Sequence, residues 1–545
     1  MPVVEISYSR LQKLVGKASK KQISESLPFL GLDIESEDKD LVRVEYSPNR
    51  PDYSTDFGIS LGLQGLLGIK SGSIKLKIKK SKNYKINVKP NVSKIRPFVT
   101  GIIAKNGKID DKIIKQFMAM QEDLHFGIGR KRKKSSIGIH DLDKICFPLT
   151  YTTTNRNYKF IPLNSKTEQK ISEILKNTEV GQDYGYVLGN SSQVPIIIDS
   201  NEDTVSFPPI INAEKTTVTT KTKNLFVEVT GINKEDAEDM LSVVATILQS
   251  AGFTLESVGI TGAKNNTPKL EHRTLSVSPS LINDSLGLTL SNSVIVSSLK
   301  KSRLDASITG KNISCKIPPY RFDIFGPMDL VEEVALGYGV EKLTPQLSPS
   351  ETLGVIHPVS SKLKSLSLTM VGLGYLEALN SSLTSKRILF EMTNRKPDNP
   401  ISVLDSKSQE HTILRDSILP ALLENLSRNI HSQYPQKLFE TGTVFFKNNP
   451  IDEKTSFAAV WANQDSNFSE MKSILQAALK TGFDLQIETK TTTHETFEKG
   501  RTASILINGK TVGVIGEINS KTIENYKIRV PVTGFEISLS GLIFD

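Results

Sequence analysis

Apolar residues recur along this chain with two periods, three to four residues in some stretches and two in others, and the changes of period delimit the elements. Near the start, "SRLQKLVG" and "ISESLPFLG" read as short helices and "LVRVEYS" as an alternating strand. In "SPNRPDYSTDFGISLGLQGLLGI", proline and aspartate punctuate a turn. An amphipathic helix is predicted after it, with Ile59, Leu61, Leu63, Leu66 and Leu67 on its apolar face. The lysine-rich stretch from Lys75 to Lys89 reads as a polar strand and linker. Beyond it, "PIIIDS" and "NLFVEVTG" are strands and "KEDAEDMLSVVATILQSAG" is a helix, whereas 268–345 is polar with short helices. From about 350 onward, amphipathic helices alternate with strands such as "KLFETGTVFF", "FAAVWA" and "TVGVIGEI". This interleaving predicts an α+β protein of several domains: a small α/β unit at 1–88, a mixed α/β region at 92–262, a small helical module at 268–345, and strands with helices at 350–545.

A length of 545 residues exceeds one ordinary core, in keeping with several domains. The 38% hydrophobic and 23% charged content is that of a globular protein in water, and no apolar run approaches the ~18 residues a membrane span needs. The opening "MPVVEISYSRLQKLVG" lacks the basic-then-apolar plan of a signal peptide, so a cytoplasmic protein is expected. Cys146 and Cys315 are far apart and exclude both a disulfide framework and a multi-cysteine zinc site. A net charge of +9 suits a nucleic-acid partner without requiring one. The excess is sharpest at Arg130, Lys131, Arg132, Lys133 and Lys134, which read either as a solvated loop or as a phosphate contact.

The densest candidate chemistry lies in "IPPYRFDIFGPMDLVEEVALGYG", where Asp323, Asp329, Glu332 and Glu333 fall among mostly apolar residues. The prolines predict an extended entry, and Gly326-Pro327 marks a helix start that Gly337 and Gly339 close. At ~100° per residue, Glu332 and Glu333 straddle the meridian of Asp329, with Leu330, Val331, Val334 and Tyr338 opposite. Asp323 can join them from the entering strand. Acids near a helix start also favour its dipole, and Arg321 can neutralise part of the cluster. A hard divalent cation would relieve the remaining repulsion, and without His or Cys nearby magnesium or calcium is preferred over zinc. From the residues alone, a metal site and a solvated acidic face both stand.

The same stretch resembles the signature of phenylalanyl-tRNA synthetase β subunits, in which these four acids are magnesium ligands. The resemblance therefore implies Mg2+ on Asp323, Asp329, Glu332 and Glu333. "SPNRPDYSTDFGISLGLQGLLG" is similar to that family's N-terminal segment, with Tyr53 where leucine is more usual. "QEDLHFGIGRKRKKSSIGIHDLDKI" and "SFPPIINAEKTTVTTKTKNLFVEVTG" resemble the editing region of its archaeal and eukaryotic form. "HTILRDSILPALLENLSRN", "LFETGTVF" and "GVIGEINSKTIENYKI" resemble its C-terminal module. The chain has room for neither the inserted oligonucleotide-binding fold nor the anticodon-binding domain of the bacterial type.

On this resemblance, 92–262 is a tRNA-binding and editing domain and 268–345 a magnesium-binding module. The 350–545 segment is a class II synthetase-like antiparallel sheet with helices. That last module is expected to be catalytically silent, because "GRTASILINGKTVGVIGEI" lacks the glycine-rich run into an arginine helix of the third class II motif. The implied activity is that of a β subunit in a pair of αβ heterodimers. It would support the α subunit's ATP-dependent charging of tRNA(Phe), bind tRNA(Phe), and hydrolyse mischarged Tyr-tRNA(Phe). A stand-alone tRNA-binding protein and a deacylase acting in trans are the alternatives; the C-terminal module and all four acids argue against the first, and association with an α partner discriminates the second.

An apolar phenylalanine pocket rejects one added hydroxyl only about 100-fold, so a second site that hydrogen-bonds the phenol is needed. "NLFVEVTG" places Glu228 between Val227 and Val229, facing away from both. Taken alone it is an exposed strand glutamate; the resemblance makes it the reader of the tyrosine hydroxyl. Asn212, after the two prolines of "SFPPIIN", is a second candidate, for loop geometry or for positioning water. His140-Asp141 offers a base, although a structural histidine is the preferred reading. Without a Ser-His-Asp or Cys-His set, hydrolysis is expected to use a positioned water assisted by a tRNA hydroxyl.

Overall fold

A computed structural model describes residues 2–262, 267–268, 271–345, 347 and 353–542. Residues 1, 269–270, 350–352 and 543–545, which belong to the expected segments, therefore lie outside the described residues. The chain divides into two compact units, Met1–Leu347 and Ser348–Asp545.

The first unit begins with a three-stranded antiparallel sheet of β1 (Val3–Ser7), β2 (Leu32–Glu37) and β3 (Leu41–Tyr46), with β3 in the centre. Helices α1 (Tyr8–Val15), α2 (Lys20–Ser26) and α3 (Asp56–Leu66) accompany it. Ser7 and Thr55 cap α1 and α3 by accepting the N–H groups of Arg10 and Gly58. The apolar face predicted for α3 is only partly used: Ile59 and Leu63 are buried, while Leu61, Leu66 and Leu67 are half-buried. Its glycines carry the closest packing. A Cβ on Gly58 would lie 1.5 Å from the carbonyl oxygen of Asp52, and one on Gly65 2.1 Å from that of Lys301.

Next in order are strands β4 (Ile78–Lys79), β5 (Lys85–Val88), β6 (Phe98–Lys105), β7 (Ser135–Asp141) and β8 (Leu149–Asn155). A short pair follows, β9 (Lys159–Phe160) with β10 (Gln169–Lys170). Then come β11 (Gln193–Ile198), β12 (Thr204–Phe207), β13 (Ile211–Asn212), β14 (Leu225–Gly231), β15 (Thr254–Ser257) and β16 (Gly259–Ile260). They build two sheets, β4-β15-β6-β14-β7 and β13-β12-β11-β8-β5-β16. The lysine-rich stretch read as a polar strand and linker supplies two strands, β4 and β5, which pair with β15, and with β8 and β16. Helices α4 (Asp111–Phe126) and α7 (Lys234–Ser250) cover one face of the first sheet; α5 (Ile171–Asn177) and α6 (Glu179–Tyr184) are short. β14 is a central strand, and its side chains alternate between two cores: Val227 and Val229 pack with α4 and α7, and Phe226 packs toward the second sheet.

The 268–345 segment is not simply helical. It holds a three-stranded antiparallel sheet, β17 (Arg273–Val277), β18 (Asp305–Thr309) and β19 (Asn312–Ile317), with β19 central. Helices α8 (Pro279–Leu286), α9 (Asn292–Lys301) and α10 (Pro327–Tyr338) pack with it. These strands bury one face only, through Val277, Ala306, Ile313, Cys315 and Ile317. Their polar outward residues account for the expectation of polar sequence with short helices.

The second unit is built on a seven-stranded sheet. Its strands are β20 (Leu376–Glu377), β23 (Gln436–Phe446), β24 (Asp452–Ala462), β25 (Glu488–Thr491), β26 (Phe497–Ile507), β27 (Lys510–Ile518) and β28 (Val532–Ser538). A separate short pair is formed by β21 (Leu383–Thr384) and β22 (Ile413–Leu414). The order is β20-β23-β24-β28-β27-β26-β25, antiparallel except for the parallel edge pair β20–β23. Helices α11 (Pro358–Gly372) and α13 (Phe468–Phe483) share one core with it, α12 (Leu419–Arg428) belongs to another, and α14 (Ser520–Asn525) follows β27.

Candidate functional site

Glu228 sits in the middle of β14 and is 2% exposed, which overturns the reading of an exposed strand glutamate. The alternation was right; the face it points to is closed by the second sheet. Ser206 Oγ on β12 donates to its Oε1 at 3.1 Å, and Oε2 has no hydrogen-bond partner among the described residues. Burial pushes the carboxyl up to about 7, against the Ser206 hydrogen bond and the nearby charge of Arg96. Arg96 is itself buried, with its guanidinium on Thr230 and Ser136. Glu228 opens onto a cavity of about 220 Å³, lined also by Glu122, Arg132, Ser206, Pro209 and Asn212.

The room comes from glycine. In both neighbouring strands the residue opposite Glu228 is glycine, Gly101 on β6 and Gly138 on β7. A Cβ on Gly138 would lie 2.6 Å from His140 Nε2, 2.7 Å from Glu228 Oε1 and 3.1 Å from Asn212 Oδ1. Glu228, Asn212 and His140 therefore converge on one missing side chain. Asn212 is half-buried, and its Nδ2 donates to the Ile139 carbonyl at 3.2 Å. His140 is fully buried, and burial drives its pKa down to about 3. The Thr216 hydroxyl is committed to the Ala213 carbonyl, so His140 Nδ1 donates to it at 2.8 Å, and Nε2 is left as a bare, unpartnered acceptor. His140 is thus a neutral, deeply held imidazole whose Nε2 faces the same space as Glu228 and Asn212.

The four acids of the α10 stretch are not gathered in the same way. Arg321, 1% exposed, bonds both oxygens of Asp323 and also Glu333. Burial raises the Asp323 carboxyl, yet the Arg321 charge and hydrogen bonds leave it below its ordinary range. Asp329 Oδ2 accepts the N–H groups of Phe325 and Gly326 at 2.6 and 2.8 Å, capping its own helix. Glu332 is exposed; its pKa is raised by desolvation and then by the charges of Glu333, Asp329 and Asp323. Among the described residues, no group of three or more His, Cys, Asp or Glu side chains is placed to hold a metal ion. The four acids expected to ligate magnesium are thus not gathered around one point in this structure: Asp323 and Glu333 bond the Arg321 guanidinium, Asp329 caps its helix and Glu332 is exposed. Asp329 and Glu332 are the two of these four acids that bond no guanidinium among the described residues, and magnesium commonly takes just one or two carboxylates and keeps water.

Three stretches match family models: residues 82–241 a B3/4 domain, 275–340 a tRNA synthetase B5 domain, and 345–539 a phenylalanyl tRNA synthetase beta chain CLM domain. The phenylalanine–tRNA ligase beta subunit of Archaeoglobus fulgidus is 39% identical over 550 residues, covering 100% of this chain and 99% of the relative. The Methanosarcina barkeri beta subunit is 36% identical, again over 100% and 99%. The chain belongs to the phenylalanine–tRNA ligase beta-subunit family. An N-terminal fragment of the Pyrococcus horikoshii phenylalanyl-tRNA synthetase beta subunit has the same fold, at TM-score 0.59 and 30% identity, covering 62% of this chain and 99% of the fragment. Glu228, Asn212 and Gly138 all lie in the B3/4 stretch, and the four acids in the B5 stretch.

Within the B3/4 stretch the basic run divides. Arg130, Lys131 and Lys133 are exposed, and Lys134 pairs with Asp236 at 3.3 Å. Arg132 is buried, so its reading as a phosphate contact is corrected. Its guanidinium donates to the Ile210 carbonyl and to Glu122 Oε1, each at 2.8 Å, and stacks on Tyr184. Arg130, Lys131 and Arg132 all have positive φ, and this left-handed turn carries Arg132 inward from a run of outward cations. Sequence reasoning missed Ser206, Gly138, Arg96 and Arg132 as members of the site. Each depends on contacts between segments far apart in sequence, by strand pairing for Gly138 and by packing for the other three, which no local spacing records; only the Gly-x-His of "IGIHD" hinted at close approach.

Proposed function

We propose that this chain is the β subunit of a phenylalanine–tRNA ligase. In this reading it supports ATP-dependent charging of tRNA(Phe) by an α subunit and hydrolyses Tyr-tRNA(Phe) in the cavity around Glu228. The observation that carries the reading is a buried carboxylate with one unpartnered oxygen at the wall of an otherwise largely apolar cavity. Such an acceptor selects a phenol, because phenylalanine would leave it unpaired at a cost of about 1–3 kcal/mol. A cavity of about 150 Å³ admits a benzene ring, so about 220 Å³ accommodates the tyrosyl group. Asn212 helps shape the loop and place water. Water attacks the ester carbonyl, the acyl–oxygen bond breaks, and the tRNA ribose hydroxyl leaves with a proton.

The α subunit is assigned to the second unit, where Leu368 and Val371 of α11 and Leu376 and Leu379 at β20 are between 54% and 94% exposed. The working assembly is two α and two β chains, and the working segments are 1–88, 92–262, 268–345 and 350–545. Arg130, Lys131 and Lys133 are the proposed contacts to the tRNA backbone. Magnesium is assigned to Asp329 and Glu332, with Asp323 and Glu333 supporting them through Arg321. Among the described residues, no helix is long and apolar enough to cross a membrane. The deciding experiment compares the holoenzyme with its Glu228→Ala variant. Tyr-tRNA(Phe) deacylation should fall about 10–100-fold while phenylalanine charging is unchanged. Equal deacylation by the two enzymes would remove Glu228 from the site.

A further inference from the structure

The cavity around Glu228 contains a second glutamate with no part in recognising the phenol. We propose that Glu122 binds the α-ammonium group of the same aminoacyl ester, so that the site reads its substrate at both ends. The proposal rests on the reading of Glu228 given above and extends it.

Depth sets the arrangement. Glu228 is 2% exposed, whereas the side chain of Glu122, in the last turn of α4, is 49% exposed and stands where the same cavity meets solvent. An aminoacyl ester entering phenol first leaves its ammonium and ester at that outer end. Glu122 is also held in place. Oε1 accepts from Arg132 at 2.8 Å and faces His125 Nδ1 at 3.2 Å. His125 Nε2 already accepts the Ile137 N–H at 2.8 Å, so Nδ1 carries the proton and donates. Both bonds end on Oε1, and Oε2 has no hydrogen bond to the described residues.

Its charge state suits a cation. Burial raises the carboxyl, but the hydrogen bond from His125 and the charge of Arg132 outweigh it and hold Glu122 below the ordinary carboxylate range. The ammonium is largely charged near pH 7. Anchoring both ends fixes the ester carbonyl between them for attack by water. The plainer reading, that Glu122 serves only to hold Arg132, makes a different prediction, because glutamine keeps an acceptor for Arg132 and removes only the charge.

The test uses the αβ holoenzyme, as wild type and Glu122→Gln. The substrates are Tyr-tRNA(Phe) and the 3-(4-hydroxyphenyl)lactyl ester of the same tRNA, in which a hydroxyl replaces the ammonium. Wild type should lose about 10–100-fold in kcat/KM on the hydroxy ester. Glu122→Gln should show a similar loss on Tyr-tRNA(Phe), with less than about threefold between its two substrates. Phenylalanine charging should be unaffected. Equal rates for wild type on the two esters overturn the proposal without any variant. So does a Glu122→Gln enzyme that keeps the full difference between them. If Glu228→Ala fails to deacylate while Glu122→Gln behaves as wild type, this inference falls and the phenol site stands. If wild type deacylates neither ester, both readings fall.

Discussion

Glu333 and Glu228 lie in the same unit, 5% and 2% exposed, and differ in what faces them. Glu333 meets the Arg321 guanidinium, which also takes Asp323, so the charges of that cluster are largely answered inside the fold. Glu228 meets one serine hydroxyl, keeps an unpartnered oxygen and borders a cavity. Burial alone therefore does not separate an architectural acid from a ligand-facing one. The partner does. A paired acid holds its surroundings together, while a half-satisfied one stores an interaction that a ligand can complete.

The contrast can be broken at either end. Arg321→Met should have the largest effect, a loss of about 3–5 kcal/mol, because the buried Glu333 and the partly buried Asp323 lose their cation. Urea unfolding of the full chain measures it, and a loss below 1 kcal/mol would place those acids with Glu228. Glu228→Gln should act in the opposite direction. The Glu228 carboxyl titrates near 7 in the fold against an ordinary value of 4.5. Its contribution is therefore fully present below about pH 4.5 and lost as pH rises through 7, since the unfolded chain ionises first. The loss amounts to roughly 3 kcal/mol by pH 8. The glutamine variant should lack this pH dependence and be the more stable protein at pH 8, in unfolding curves taken from pH 5 to 8.

Gly138→Ala tests the cavity itself. Its methyl group would press on His140 and Glu228, costing about 1–3 kcal/mol and suppressing Tyr-tRNA(Phe) deacylation, with phenylalanine charging as the control. The smallest effect is expected at Glu332→Gln. Relief of repulsion should stabilise the chain by about 0.3 kcal/mol without magnesium. Added magnesium should raise the melting temperature of wild type only; an equal rise in both proteins would remove Glu332 as a ligand.

Much of this contrast could be read from the chain before its fold was known. Helix α10 was legible from Gly326-Pro327 and its apolar spacing, and strand alternation turned Glu228 away from its valine neighbours, while its place in a site came only from the family resemblance. What alternation could not supply was the second sheet that closes over Glu228, since β12 and β14 belong to different sheets and meet only where those sheets pack. Arg321 stood two residues from Asp323, so its part in the cluster was visible; that it would capture Glu333 as well depended on the turn between β19 and α10. Arg132 shows the limit most clearly. Nothing in five consecutive cations marks the one that turns inward.

The glycines opposite Glu228 add a consequence for how selectivity is encoded. β14 pairs with β6 and β7 so that Glu228 falls between Gly101 and Gly138. A slip of one residue would bring Val227 or Val229 between them and turn the acid to the opposite face. On the proposed reading of Glu228, choice of substrate is thus written in strand alignment as much as in the identity of a side chain. A change at a distant β-turn that shifted the ladder would erase it with every residue of the cavity still present.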